Sequence, residues 1–372
     1  MNERFNDHLN RVLKAVHLEP VDRVPFMGSG SSCNAAFTGR TLKEYVHDID
    51  ANIEINLKGT QLVGDPDGVQ VTAFEPACLS STWMGHVDLP GRELGDNDMW
   101  QMRESVTVTQ EDYDKILEDG YEAWIAAFTA KYCSQDMPLM AQYVPRIPKA
   151  VATFADAGYP CFMGGSLAGP IEAFCGGRTL MNFFVEDLLE IPDKVEQVFD
   201  VVQKAKIAKQ RAMWENPAAR PIAVWIGAWR GTPDLLNPEM FQRFAWKYYR
   251  EWIELCFEYG VIPLCHLDSN WDNGMKYFLE LPKGSVIVGL DGATDIFKAR
   301  EVLGGHMCIM GDVPAALLSN GTPEEVDAYC KRLIYEVGPT GFILSSGCDA
   351  PYNAKLENMQ AMANSVFKYP VG

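Results

Sequence analysis

His266 and Asp268 stand two residues apart at the end of the apolar run VIPLCHLD, and Cys348 ends a second run, GFILSSGC, near the C-terminus. Side chains alternate along a β-strand, so His266 and Asp268 project to one face while Cys265 and Leu267 project to the other, which makes Cys265 a core residue. An imidazole, a carboxylate and a thiolate would form a three-ligand site with one position open, the arrangement of a catalytic rather than a structural zinc. The alternative is a hydrogen-bonded His266–Asp268 pair, with Cys348 simply a small residue in the turn SSGCDAP. Cys308 is a rival ligand, but it lies four residues before the strand end at Asp312, roughly 13 Å lower at about 3.3 Å per residue, and reads as core.

Asp291 in GLDG and Asp312 in GDVP end two further runs. A carboxylate at that height beside a metal could orient a substrate or deliver a proton, and both are candidate catalytic residues. An aspartate at a strand-to-helix turn is equally a good N-cap. Glu172 follows the Gly-rich stretch GGSLAG and is a candidate substrate-binding residue or a solvated first-turn helix acid. Trp225 and Trp229, with Phe174, could line an apolar pocket or serve only as packing. Asp65 and Asp67 in GDPDG have ordinary turn chemistry.

These residues need elements that carry them to a common end. Eight short apolar runs are candidate strands, starting at Val24, Gly68, Pro160, Ile222, Val261, Ser285, Met307 and Gly341. The clearer ones are separated by segments of helical periodicity, the alternation of parallel α/β architecture. Eight parallel strands would close into a (β/α)8 TIM barrel, and barrels build their active sites at the C-terminal ends of their strands, where His266, Asp268, Asp291, Asp312 and Cys348 all fall. PEMFQRFAWKYYREWIELCFEYG reads as a helix stopped by Gly260. TPEEVDAYCKRLIYEVG reads as another, capped by Thr322 with Glu325 completing a capping box. The region from about Cys78 to Met140 lacks this rhythm, and LPGRELGDNDMW within it reads as an inserted hairpin or lid. No linker or low-complexity segment divides the chain, so residues 1–372 are expected to form one barrel domain. A doubly wound sheet is the alternative, but VPFMGSGSSCNAA lacks the GxGxxG fingerprint.

Composition limits the partners. The chain has 32 Lys+Arg against 50 Asp+Glu, a formal net charge of −18, which would repel nucleic acid and anionic membranes. There is no long uncharged apolar stretch, and the charged, amphipathic start MNERFNDHLNRVLKAVHLEP is unlike a secretion signal, so a cytoplasmic protein is expected. The ten cysteines are scattered without a CxxC pair, which suits reduced thiols and means that any metal is bound by residues distant in sequence.

GFILSSGCDAPYNAKLENMQAM resembles the end of the uroporphyrinogen decarboxylase superfamily, particularly its corrinoid-dependent methyltransferase branch. RVLKAVHLEPVDRVP, LPGREL, LNPEMFQRFAWKYYREW and HLDSNWD extend the resemblance over nearly the whole chain. True decarboxylases of the family neutralise a polycarboxylate with arginines in an early RQAGR-like loop. Here that loop reads FMGSGSSCNAA, without an arginine, which disfavours a porphyrinogen substrate. The resemblance implies a (β/α)8 barrel that receives a methyl donor and docks a separate protein carrying cobalamin; this chain lacks the DxHxxG signature of a cobalamin domain. It also implies zinc held by a histidine, a cysteine two residues on, and the late SxGC cysteine. His266 and Cys348 match, whereas Asp268 stands where the thiol-using enzymes place cysteine.

A carboxylate in that position makes the site harder and suits an oxygen ligand. The expected activity is therefore demethylation of a methyl ether, most plausibly aromatic, with transfer to Co(I) of a corrinoid partner. Two alternatives stand beside it: decarboxylation of a small acid using Asp65 or Asp67, and a barrel that binds a ligand without turnover.

Overall fold

Parallel hydrogen bonding runs from strand to strand until it returns to its start. In a computed structural model describing residues 2–371, six strands form one continuous sheet. They are β5 (Ser166–Ala168), β6 (Ala223–Ala228), β7 (Ile262–Leu267), β8 (Ile287–Leu290), β9 (Cys308–Val313) and β10 (Phe342–Ser346). Two short strands, β1 (Met27–Gly28) and β2 (Gly68–Val69), pair with each other. β10 joins β1 through a parallel bridge between Leu344 and Phe26. β2 joins the segment before β5 through Val69 and Cys161, and Gly164 N–H donates to Ala223 O across to β6. The ring closes with eight parallel segments, one for each predicted run, as a TIM barrel; the first and last residues of the predicted 1–372 span lie outside the described residues.

The period of two along each strand divides the apolar residues into two layers. Met27, Ala223, Leu264, Ile287, Met310 and Ile343 point into the barrel and meet Val12, Ala15 and Val16. Those three belong to the helix Glu3–Val16, which plugs the N-terminal end. Cys308 is in this interior cluster, well below the strand ends. Ile226, Cys265, Leu267, Val288, Ile309 and Leu344 face outward against the helices. The barrel is thus filled below and open only above.

The helices end where their sequences indicate. Lys247–Tyr259 stops at Gly260, whose φ of 68° is left-handed, and Pro323–Glu336 carries the Thr322–Glu325 capping box. In the irregular region, β3 (His86–Asp88) and β4 (Gln101–Arg103) form the expected antiparallel hairpin. The rest of that region is not a lid. Gln110–Asp119 and Tyr121–Tyr132 are helices whose Tyr113, Trp124 and Phe128 join the outer core. Their apolar positions are legible afterwards, but their neighbours are helices rather than strands, which hid the βα rhythm. No helix among the described residues is long and apolar enough to cross a membrane.

Candidate active site

At the open end of the barrel, His266 and Asp268 extend from the end of β7 and Cys348 from the turn after β10. His266 Nε2 lies 3.2 Å from Asp268 Oδ1. One ligand atom from each of the three residues falls within 4.8 Å of the others. Burial works against a charge on His266, yet Asp268 and Cys348 push its proton affinity up to about 10, so the cluster favours positive charge at its centre. Nitrogen, carboxylate oxygen and sulfur at these separations fit a divalent cation such as zinc, with the remaining direction facing the cavity.

Asp291 lies beside the cluster but is committed to backbone. Its Oδ2 accepts from Ser269 N–H (2.9 Å) and its Oδ1 from Ala293 N–H (2.8 Å). Ser269 has a left-handed φ of 67° and follows Asp268 directly, so Asp291 fixes the turn that aims Asp268. It is a positioning residue and not the expected proton donor. Asp312 departs further from expectation. It is buried, and its Oδ1 accepts from the Tyr329 hydroxyl (2.8 Å) on the outer helix, away from the cavity. Burial pushes its carboxyl up to about 6.

Glu172 is neither a solvated acid nor part of the cavity wall. It is fully buried; its oxygens accept from the N–H groups of Arg230 (2.8 Å) and Gly231 (3.0 Å) and from the Tyr249 hydroxyl. Three donors compensate the burial of a carboxylate whose affinity for a proton is still pushed up to about 7. Its work is to hold the loop after β6, which carries Trp229. Trp225 and Trp229 do face the cavity. Trp225 stacks on His266 with centroids 5.6 Å apart, and on Trp229 at 5.9 Å. Phe174 instead packs in the outer core against Tyr113 and Trp124.

Two connected chambers lie above the barrel, sharing a wall of Gln70, Val71, Phe74, Met163 and Trp225. The smaller, 140 Å³, holds His266 and Cys348 and is closed by Ser29, Ser31 and Asp349. The larger, 340 Å³, adds Trp229, Trp83, Tyr143, Ile147 and Glu75. No lysine or arginine lines either chamber among the described residues. Trp83 extends the aromatic wall, 5.7 Å from Trp229. Trp83, Glu75 and Asp349 are additions that the sequence did not single out. Only Asp349 carried a signal, its place directly after Cys348; its carboxylate is held by the Ser31 hydroxyl.

Asp65 and Asp67 are on the opposite end. Asp67 precedes β2 and is buried in a cage of Arg11, Arg23 and the Phe26 N–H; Asp65 pairs with Arg4 at the surface. Neither reaches the cavity, so the decarboxylase alternative loses its acid.

A plugged (β/α)8 barrel with its polar cluster at the strand ends defines a class of barrel enzymes and their relatives. Within it, residues 134–369 match the uroporphyrinogen decarboxylase (URO-D) family, and the chain belongs to that family. It is 24% identical over 370 residues to methylcobamide:CoM methyltransferase MtbA of Methanosarcina mazei, covering 96% of this chain and 97% of that protein. It is 28% identical over 162 residues to uroporphyrinogen decarboxylase of Syntrophotalea carbinolica, covering 43% of this chain and 44% of that protein. A solved structure of a methyltransferase from Methanosarcina mazei shares the fold with a TM-score of 0.72 at 17% identity, over 97% of this chain and 98% of that one.

Proposed function

We propose that this chain is a cytoplasmic methyltransferase that demethylates an aromatic methyl ether and passes the methyl group to Co(I) of a partner corrinoid protein. The observation that carries the reading is the His266–Asp268–Cys348 cluster beneath an indole wall. Similarity to MtbA along nearly the full chain supports methyl transfer over decarboxylation. The absence of lining cations, among the described residues, argues independently against a polycarboxylate substrate.

In the reaction the Co(I) electron pair attacks the methyl carbon, a Co–C bond forms, and the C–O bond breaks. The pair from that bond leaves on the phenoxide, which then takes up a proton to give the phenol. Zinc, when bound by His266, Asp268 and Cys348, supplies a Lewis acid for charge developing on the ether oxygen. The chain's own residues do the positioning. Trp225 and Trp229 hold the ring, Asp291 aims Asp268 through Ser269, and Glu172 fixes the Trp229 loop. A carboxylate in place of a second thiolate leaves the cluster less suited to activating a thiol acceptor.

The test is to mix the protein with reduced Co(I) cobalamin or a reduced corrinoid protein and a panel of methoxybenzenes. Methyl-Co(III) formation with release of the matching phenol is expected, and its loss in His266→Ala and Cys348→Ala variants that stay folded. Full rate in either variant would refute the site assignment. Absence of turnover with every ether, given an active acceptor, would refute the substrate class.

A further inference from the structure

Glu75 is a buried carboxylate in a mainly apolar chamber. It follows Phe74 on the loop after β2 and caps the short 3-10 turn Pro76–Cys78. One oxygen accepts from the Ala77 N–H (3.0 Å); no donor reaches the other among the described residues. The residue is only 4% exposed, yet it fronts the 340 Å³ chamber and not the smaller one that holds His266 and Cys348. Its unused oxygen therefore addresses the end of a bound ring remote from the reacting methyl group. Burial pushes its carboxyl up to about 7, as expected for an acid without a cation opposite it. A buried polar group left without a partner is costly, so a ligand that supplies one gains, and a ligand that cannot is penalised.

Resting on the methyl-transfer reading for its context, we propose that Glu75 sets the substrate class. It pairs with a hydroxyl group on the aromatic ring and excludes ring carboxylates, so the preferred donors are methoxyphenols over unsubstituted methoxybenzene and over methoxybenzoates. A hydroxyl both donates and accepts, and satisfies the acid in either protonation state. A carboxylate brings a second negative charge to a chamber with no lining lysine or arginine.

Binding can be followed by quenching of indole fluorescence, because Trp83, Trp225 and Trp229 line the chamber. Titrate wild type, Glu75→Gln and Glu75→Leu with the three methoxyphenol isomers, methoxybenzene and the methoxybenzoates, and measure turnover in parallel with a reduced corrinoid acceptor. In wild type, at least one methoxyphenol should bind about tenfold more tightly than methoxybenzene, the gain of roughly one well-made hydrogen bond to a charged group. Methoxybenzoates should bind worst. Glu75→Leu should bring the methoxyphenol to methoxybenzene ratio to about one, and Glu75→Gln should improve methoxybenzoate binding while keeping part of the hydroxyl preference. Circular dichroism checks that both variants fold, and either one alone suffices for the comparison. Equal binding of methoxyphenols and methoxybenzene in wild type, or a preference that survives in Glu75→Leu, overturns the proposal. Turnover without discrimination overturns it and leaves methyl transfer standing. Glu75-dependent discrimination in binding without turnover of any ether sustains it and sinks the methyl-transfer reading; no binding of any ring compound overturns both.

Discussion

The Trp225 indole lies over the His266 imidazole, with centroids 5.6 Å apart and 28° between the planes. The residues come from adjacent strands, where Gly227 is the register partner of His266. Gly227 leaves the space in which the indole lies. A Cβ there would sit 2.1 Å from Trp225 and 2.6 Å from Trp229. The ring-binding wall and the polar cluster are thus one packed unit.

Removing that wall should cost binding before it costs folding. Trp225→Ala is expected to weaken capture of an aromatic ring by about tenfold or more, the scale of one lost stacking and burial partner. Gly227→Ala should do the same without touching the indole chemically, by displacing both rings. Fluorescence titration with methoxyphenols checks both, and undiminished affinity in the two variants would show that the ring binds elsewhere.

Metal content gives a test free of turnover. Alanine at His266, Asp268 or Cys348 should each lower bound zinc from about one equivalent toward zero, read by elemental analysis after dialysis. Cobalt(II) substitution separates the ligands: Cys348→Ala should abolish the sulfur-to-cobalt absorption, and Asp268→Ala should leave it. Asp268→Cys should strengthen that band and tighten the metal. Retention of the band in Cys348→Ala would remove Cys348 from the ligand set.

Asp291 holds the turn that aims Asp268 by accepting from Ser269 and Ala293. In Asp291→Asn one of those N–H groups would face an amide N–H₂, so the turn should shift. Zinc affinity is expected to fall about 10- to 100-fold, the usual effect of losing an outer partner of a ligand. Affinity equal to wild type in a competition with a chelator would show that the turn holds itself.

Glu172 accepts on both oxygens, so glutamine cannot replace it without setting N–H against N–H. Glu172→Gln is expected to lose about 1–3 kcal/mol of stability, the cost of a broken buried bond. It should also raise KM for the ether more than it lowers kcat, because the Trp229 loop loosens while the polar cluster stays. Thermal melts and steady-state kinetics read the two effects, and an unchanged KM would limit Glu172 to stability alone.

The Asp312 carboxyl, pushed up to about 6 by burial, gives a signed pH dependence. Its affinity is higher in the folded chain than in the unfolded one, so its contribution is complete below about pH 4 and is lost as pH rises through about 6. Asp312→Asn still accepts from Tyr329 and does not titrate. Relative to this variant, wild type should lose up to about 3 kcal/mol between about pH 4 and 7. Urea midpoints at two pH values test this; a constant difference would mean that Asp312 titrates normally. Turnover at neutral pH should survive the substitution, since the group faces Tyr329 rather than the cavity.

Local periodicity was enough to find eight strands, the ends at which chemistry gathers, and the grouping of His266, Asp268 and Cys348. Strand alternation and strand ends are properties of a few consecutive residues, and the barrel turns them into positions without further information. Only the tertiary structure decided the rest. Glu172 and Asp312 are polar residues at the predicted places, but their partners, Tyr249 and Tyr329, come from outer helices, and those contacts turn them away from the cavity. Conversely, Glu75, Trp83 and Asp349 enter the site because loops after different strands meet above the barrel; Ser31 and Asp349 touch across 318 residues of sequence. A side chain's direction in such a loop is set by what packs behind it, and that neighbour is distant in the chain.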